Sequence, residues 1–101
     1  MEVMLFIYKR LKKDFEFIEN YGFHYAYQLK SNIAPGIIYK KEEESLSIGF
    51  DYVEGTFYCL YNPNGSVQYY EPLEKCEFND HSYNRQVSRI KEIINTFLKG
   101  L

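Results

Sequence analysis

The chain has no tryptophan, two cysteines, two histidines and three prolines among its 101 residues. Two cysteines cannot build the multi-bridge framework of a small secreted domain, so a reducing, cytoplasmic setting is expected. His24, His81, Cys59 and Cys76 show none of the paired spacing, such as Cys-x2-Cys, that structural zinc sites use. No metal and no cofactor are therefore expected. No apolar run approaches the length of a bilayer-spanning helix. The stretch Val3–Tyr8 precedes Lys9, Arg10, Lys12 and Lys13, which is the reverse of signal-peptide order. Twelve basic against fourteen acidic residues give a net charge of −2. That is no basic surplus for neutralising phosphates, so neither nucleic acid nor membrane is an expected partner. Gly49 and Gly55 lack the context of a phosphate loop. A glycine within a strand, as at Gly49, instead marks a bulge or a close backbone approach.

What the chain has in abundance is aromatic rings, eleven Tyr and eight Phe. Most fall between His24 and Glu71, in short runs of alternating character. The flanks have a different period. Met4, Ile7, Leu11, Phe15 and Ile18 recur at three- and four-residue steps and predict a helix, which Gly22 ends in a left-handed cap. Its charges oppose the helix dipole, with lysines early and Asp14, Glu16 and Glu19 late, so packing must support it. A second helix is predicted from Tyr83, Val87, Ile90, Ile94 and Phe97, with Asp80 or Ser82 as its cap and Gly100 beyond its end.

Between the helices the period falls to two. The first strand carries Phe23, Tyr25, Tyr27 and Leu29. Pro35-Gly36 marks a turn before Ile37–Lys41, and Glu42, Glu43 and Glu44 form a solvated tip. Leu46, Ile48, Phe50 and Tyr52 follow, and Glu54-Gly55 reads as a two-residue hairpin turn. Phe57, Cys59 and Tyr61 come next, then the turn Asn62-Pro63-Asn64-Gly65, then Val67 and Tyr69 before Pro72. Residues 73–79 fit a loop or a helical turn equally well. Short turns join antiparallel neighbours. The expected fold is α+β: one domain over residues 1–101, with an N-terminal helix, an antiparallel meander of about five strands and a C-terminal helix, both helices on one sheet face. Leu29, Ile37, Leu46, Ile48, Phe50, Phe57 and Val67 form the expected core. His24, Ala26, Gln28, Ser47, Gly49, Asp51, Tyr58, Gln68 and Tyr70 fall on the opposite face.

No residue pattern marks catalysis. A Cys–His pair would need adjacency in space, and no carboxylate is marked for acid–base work. The four cations Lys9–Lys13 read as a solvated helix face. Two lysines against five carboxylates between Lys40 and Glu54 sum to −3, as do Glu71, Glu74, Lys75, Glu77 and Asp80, and if these segments meet in space they form an acidic patch that steers a basic partner. Tyrosine offers a rigid apolar body with a polar tip and is enriched at interfaces. Tyr58, Tyr70, Gln68, Asp51, Glu43 and Glu44 are therefore the expected binding residues. Tyr27 and Tyr39 are expected near a sheet edge.

The segment Phe15-Glu16-Phe17-Ile18-Glu19-Asn20-Tyr21-Gly22-Phe23 resembles the Phe-x-Phe-Leu-x-x-x-Gly-Phe opening of several families of small bacterial α+β proteins. Some of these are immunity proteins that bind and block a cognate toxin. The resemblance implies a non-enzymatic protein-binding module without a cofactor. The alternatives are a small-ligand or catalytic domain with a pocket between sheet and helices, involving His24 or Cys59, and a homodimer pairing sheet faces or edges.

Overall fold

The N-terminal stripe folds as a helix, but in two pieces. In the computed structural model, which describes residues 2–63, 71–72 and 83–101, α1 spans Glu2–Asp14 and a 3-10 helix follows at Glu16–Tyr21. The tighter winding stacks residues three apart, and Phe15 and Ile18 are both fully buried. Gly22 ends the segment as expected, at φ 89° with its N–H donating to the Glu19 carbonyl. The side chain of Lys41 crosses close above it, donating to the carbonyl of Tyr21 at 3.2 Å.

The centre is an antiparallel meander of β1 (His24–Leu29), β2 (Gly36–Lys41), β3 (Glu44–Asp51) and β4 (Thr56–Asn62). The expected count of about five is too high for full strands among the described residues. Beyond four of them there is only β5 (Glu71–Pro72), a two-residue pairing against Leu60 and Tyr61. Val67, Gln68, Tyr69 and Tyr70, read as the fifth strand, lie outside the described residues, as do Asp80 and Ser82. The C-terminal helix, α2, spans Tyr83–Lys99.

Ile37, Tyr39, Leu46, Ile48, Phe50, Phe57 and Tyr61 share one sheet face. They join Ile7, Leu11, Phe15 and Ile18 from the N-terminal segment and Tyr83, Ile90, Ile94 and Leu98 from α2 in one apolar cluster. Phe57 touches both sides of that helical layer. Its ring lies 6.0 Å from Phe15 and 4.8 Å from Tyr83. Such ring pairs add about 0.5–1.5 kcal/mol each beyond the area they bury.

Two departures from the expected pattern matter. Tyr25 pairs with Tyr39, but Tyr27 pairs with Ile38, so one extra residue enters β1 at Ala26. This bulge shifts the period by one. Gln28 therefore lies opposite Ile37 on the helix side, and Leu29 lies opposite Gly36 on the outer side, the reverse of their expected places. Tyr39 is also not at an edge; it is 1% exposed in the core.

The second departure is the β3–β4 turn. It takes four residues, Tyr52–Gly55, not two, because Asp51 pairs with Thr56 across its base. The Asp51 carboxylate holds the extra length. Its Oδ1 accepts the N–H of Val53 at 2.8 Å and of Glu54 at 3.1 Å, and Gly55 closes the turn at φ 70°.

Candidate functional site

The outer sheet face is less open than its sequence suggests. Ser47 and Gly49, expected on an exposed surface, are buried, and Ile38 beside them is 3% exposed. Gly36, Gly49 and Tyr58 form one cross-strand row. The Tyr58 ring lies down across both glycines, so closely that a Cβ on either would fall inside it. Its hydroxyl donates to the carbonyl of Ala34 at 2.8 Å. The close approach at Gly49 is thus made by a ring from the neighbouring strand.

Burial, with smaller contributions from Tyr8 and Asp51, pushes the Tyr58 phenol up to about 12. Burial likewise raises Tyr39, with Glu19 adding to it. Burial raises Tyr83 as well, followed by its bond to Asp14. A phenol with a folded pKa above its unfolded value contributes stability that is complete below pH 10 and is lost as pH rises further. For Tyr58 that window runs from about 10 through about 12. An alkaline titration followed by phenolate absorbance tests this. Tyr39, Tyr58 and Tyr83 should ionise late and together with loss of circular dichroism. Eleven tyrosines ionising in one step near the ordinary value would contradict this packing.

Among the expected binding residues that are described, the acidic ones fall at opposite ends of β3. Glu43 and Glu44 sit at or beside the β2–β3 turn, where the Tyr61 hydroxyl donates to the Glu44 carboxylate. Asp51 lies at the far end of β3 and is occupied by its turn. Seven residue steps along β3 separate Glu44 from Asp51, roughly 23 Å at about 3.3 Å per residue, so the acidic residues of these two turns do not merge; Glu74, Lys75, Glu77 and Asp80 of the second acidic segment lie outside the described residues. Tyr70 and Gln68 lie outside the described residues. His24 is on the outer side opposite Lys40, whereas Cys59 is on the core side opposite Ile48, so the two cannot act as a pair. Among the described residues no group of three potential metal ligands comes together. No helix there is long and apolar enough to cross a membrane.

The structure assembles a different surface at the β3–β4 turn. Ser31 Oγ accepts the N–H groups of Ile33 and Ala34, shaping the β1–β2 loop. That loop runs beside the end of β3, with Tyr52 N–H donating to the Ile33 carbonyl at 2.7 Å. Ile33, Tyr52 and Val53 consequently stand together at 59%, 45% and 70% exposure. The Tyr52 ring rests on Phe50 at 5.4 Å, which anchors the patch to the core.

The helices extend it. Gln86 of α2 is 1% exposed, and its amide donates to the Gly55 carbonyl at 2.7 Å and accepts the Phe57 N–H at 3.3 Å. Arg10 of α1 stacks 4.1 Å from the Tyr83 ring and 5.9 Å from that of Phe6, and it donates to Asn84 at 2.5 Å. Its charge reaches Tyr52, opposing the upward push that burial gives that phenol. Sequence reasoning missed Phe6, Ile33 and Val53. The available signal was Ile33, an apolar residue in the loop before Pro35-Gly36, where polar ones are the rule; Val53 carried none, because the sequence placed the turn at Glu54-Gly55.

No family model matches this chain, and no curated protein or solved structure is significantly similar to it.

Proposed function

We propose that this protein is a non-enzymatic protein-binding module that docks its partner on the Ile33–Tyr52–Val53 end of the sheet and acts by covering the partner's surface. The observation that carries this reading is the exposure of three apolar side chains, brought together by a loop–turn hydrogen bond and rigidly backed by the core. Aromatic anchors with an arginine beside them are the composition of binding hot spots. The space between sheet and helices supports the same reading, since among the described residues it is filled by one apolar cluster. Blocking a cognate toxin, the role implied by the resemblance at Phe15–Phe23, is one form of this activity.

The test is affinity capture with the wild type, Val53→Asp and Glu43→Lys in parallel. A hot-spot loss of about 2 kcal/mol weakens binding roughly 30-fold. Val53→Asp should therefore lose the captured protein, with stability changed by less than about 0.5 kcal/mol because the site is exposed. Glu43→Lys, at the opposite end, should retain it. Loss with Glu43→Lys and retention with Val53→Asp would return the docking surface to the acidic tip.

A further inference from the structure

Beside the apolar patch, α1 carries a groove of about 440 Å³ lined by Phe6, Lys9, Arg10, Lys13 and Asp14. Phe6 is 61% exposed at its rim. Lys9 and Lys13 are one helical turn apart and project on the same side of α1. Both are exposed, and neither forms a hydrogen bond or ion pair among the described residues. Arg10 is fixed by Asn84 and the Tyr83 ring, so its position in the wall is set before anything binds. The only carboxylate in the lining among the described residues, Asp14, already accepts the Tyr83 hydroxyl at 2.8 Å. The groove thus offers two lysines without a partner among the described residues next to the exposed Phe6 ring, which Arg10 approaches to 5.9 Å, and it continues through Arg10 to Tyr52.

We infer that this groove receives an acidic segment of the partner protein, with carboxylates on Lys9 and Lys13 and an apolar side chain against Phe6. The inference rests on the protein-binding reading above and adds the sign of the partner's charge. It is opposite to the basic partner that the acidic tips suggest. Charge complementarity supports it, because free cations at a rim attract and orient acidic groups and repel basic ones. A protein segment fits better than a nucleic acid. Two free lysines beside the Asp14 carboxylate make a weak phosphate track, and the chain as a whole is negative.

The experiment pans a phage-displayed library of random dodecapeptides on the immobilised full chain. It then compares enriched peptides on the wild type, Lys9→Glu/Lys13→Glu, Lys9→Gln/Lys13→Gln and Val53→Asp. Thermal unfolding of each variant establishes that it is folded. The expected result is enrichment of Asp and Glu flanking one Phe, Tyr or Leu. Binding should fall by about tenfold or more in the glutamate variant and by less in the glutamine variant, following the charge. Neutral or basic enriched peptides, or acidic ones that bind the glutamate variant unchanged, overturn the inference. Peptides sensitive to Val53→Asp but not to the lysine variants overturn it while sparing the docking surface. Peptides indifferent to all three variants overturn both, as does no enrichment over bare support. An oligonucleotide that displaces the acidic peptides and binds more tightly than they do also overturns the assignment of a protein segment.

Discussion

Replacing Gln86 by leucine should unfold this protein more readily than any other single change of similar volume. The side chain is 1% exposed on the core face of α2 and serves two backbone groups of the β3–β4 hairpin, the Gly55 carbonyl and the Phe57 N–H. Leucine fills the space but leaves both groups without their partner. A buried unpaired group costs about 1–3 kcal/mol, so the expected loss is about 3 kcal/mol. For a domain of this size each kcal/mol lowers Tm by roughly 4–8 °C, giving a fall of roughly 12–24 °C. Hydrogen exchange should also quicken at Val53 and Gly55, because the β3–β4 turn is tied to α2 through this amide. A Tm within a few degrees of wild type would mean that α2 does not hold the hairpin in this way.

The second large effect lies on the outer face. Adding a methyl group at Gly49 drives the Tyr58 ring from its seat and breaks its bond to the Ala34 carbonyl. Overpacking of this kind costs about 1–3 kcal/mol. Because the obstacle is a side chain, Tyr58→Ala should relieve it, and Gly49→Ala should cost much less in that background. Gly36→Ala is different. Its added carbon would also lie 2.8 Å from the Ile48 carbonyl oxygen, which belongs to the sheet and cannot step aside. Removing Tyr58 should therefore rescue Gly49→Ala but not Gly36→Ala. Denaturant unfolding of the wild type, the three single variants and the two double mutants measures the coupling directly. Equal rescue of both, or of neither, would show that the ring does not lie across this row.

The elements that repeated a simple period were legible in the sequence. Both helices, four strands and the Gly22 cap follow from apolar spacing and from one residue suited to positive φ. Leu46, Ile48, Phe50, Phe57 and Ile37 were placed in the core correctly because strict alternation fixes a face once the register is right. The failures have local causes. The bulge at Ala26 has no glycine or proline to announce it, so Gln28 and Leu29 exchanged sides. The β3–β4 turn is longer than Glu54-Gly55 alone suggests because a side chain, Asp51, caps it, and that moved Tyr52 and Val53 from strand to solvent. Gln86 interrupts an apolar stripe, and periodicity discounts a polar residue even when its partners make it a core residue.

The site was less legible than the fold for the same reason. Tyrosine content pointed to an interface, but Tyr58 covers glycines and Tyr39 packs inside, so their rings serve the sheet. The acidic tips were nameable as residues, but only the meander topology shows that β3 holds them at opposite ends. The proposed docking surface joins α1, a loop and a turn from distant parts of the chain. Its members carry no shared spacing, only the oddity of Ile33 standing in a polar loop.

A protein partner, as proposed, docks on the end of the sheet formed by the β1–β2 loop, the β3–β4 turn and the first half of α1. Hydrogen–deuterium exchange on the chain alone and saturated with its captured partner tests it most directly. Slowed exchange at residues 31–34 and 51–55, extending to residues 6–13, is the expected footprint. Slowing confined to β1 and the Glu42–Glu43 turn, with the β3–β4 turn exchanging as in the free protein, would contradict the claim.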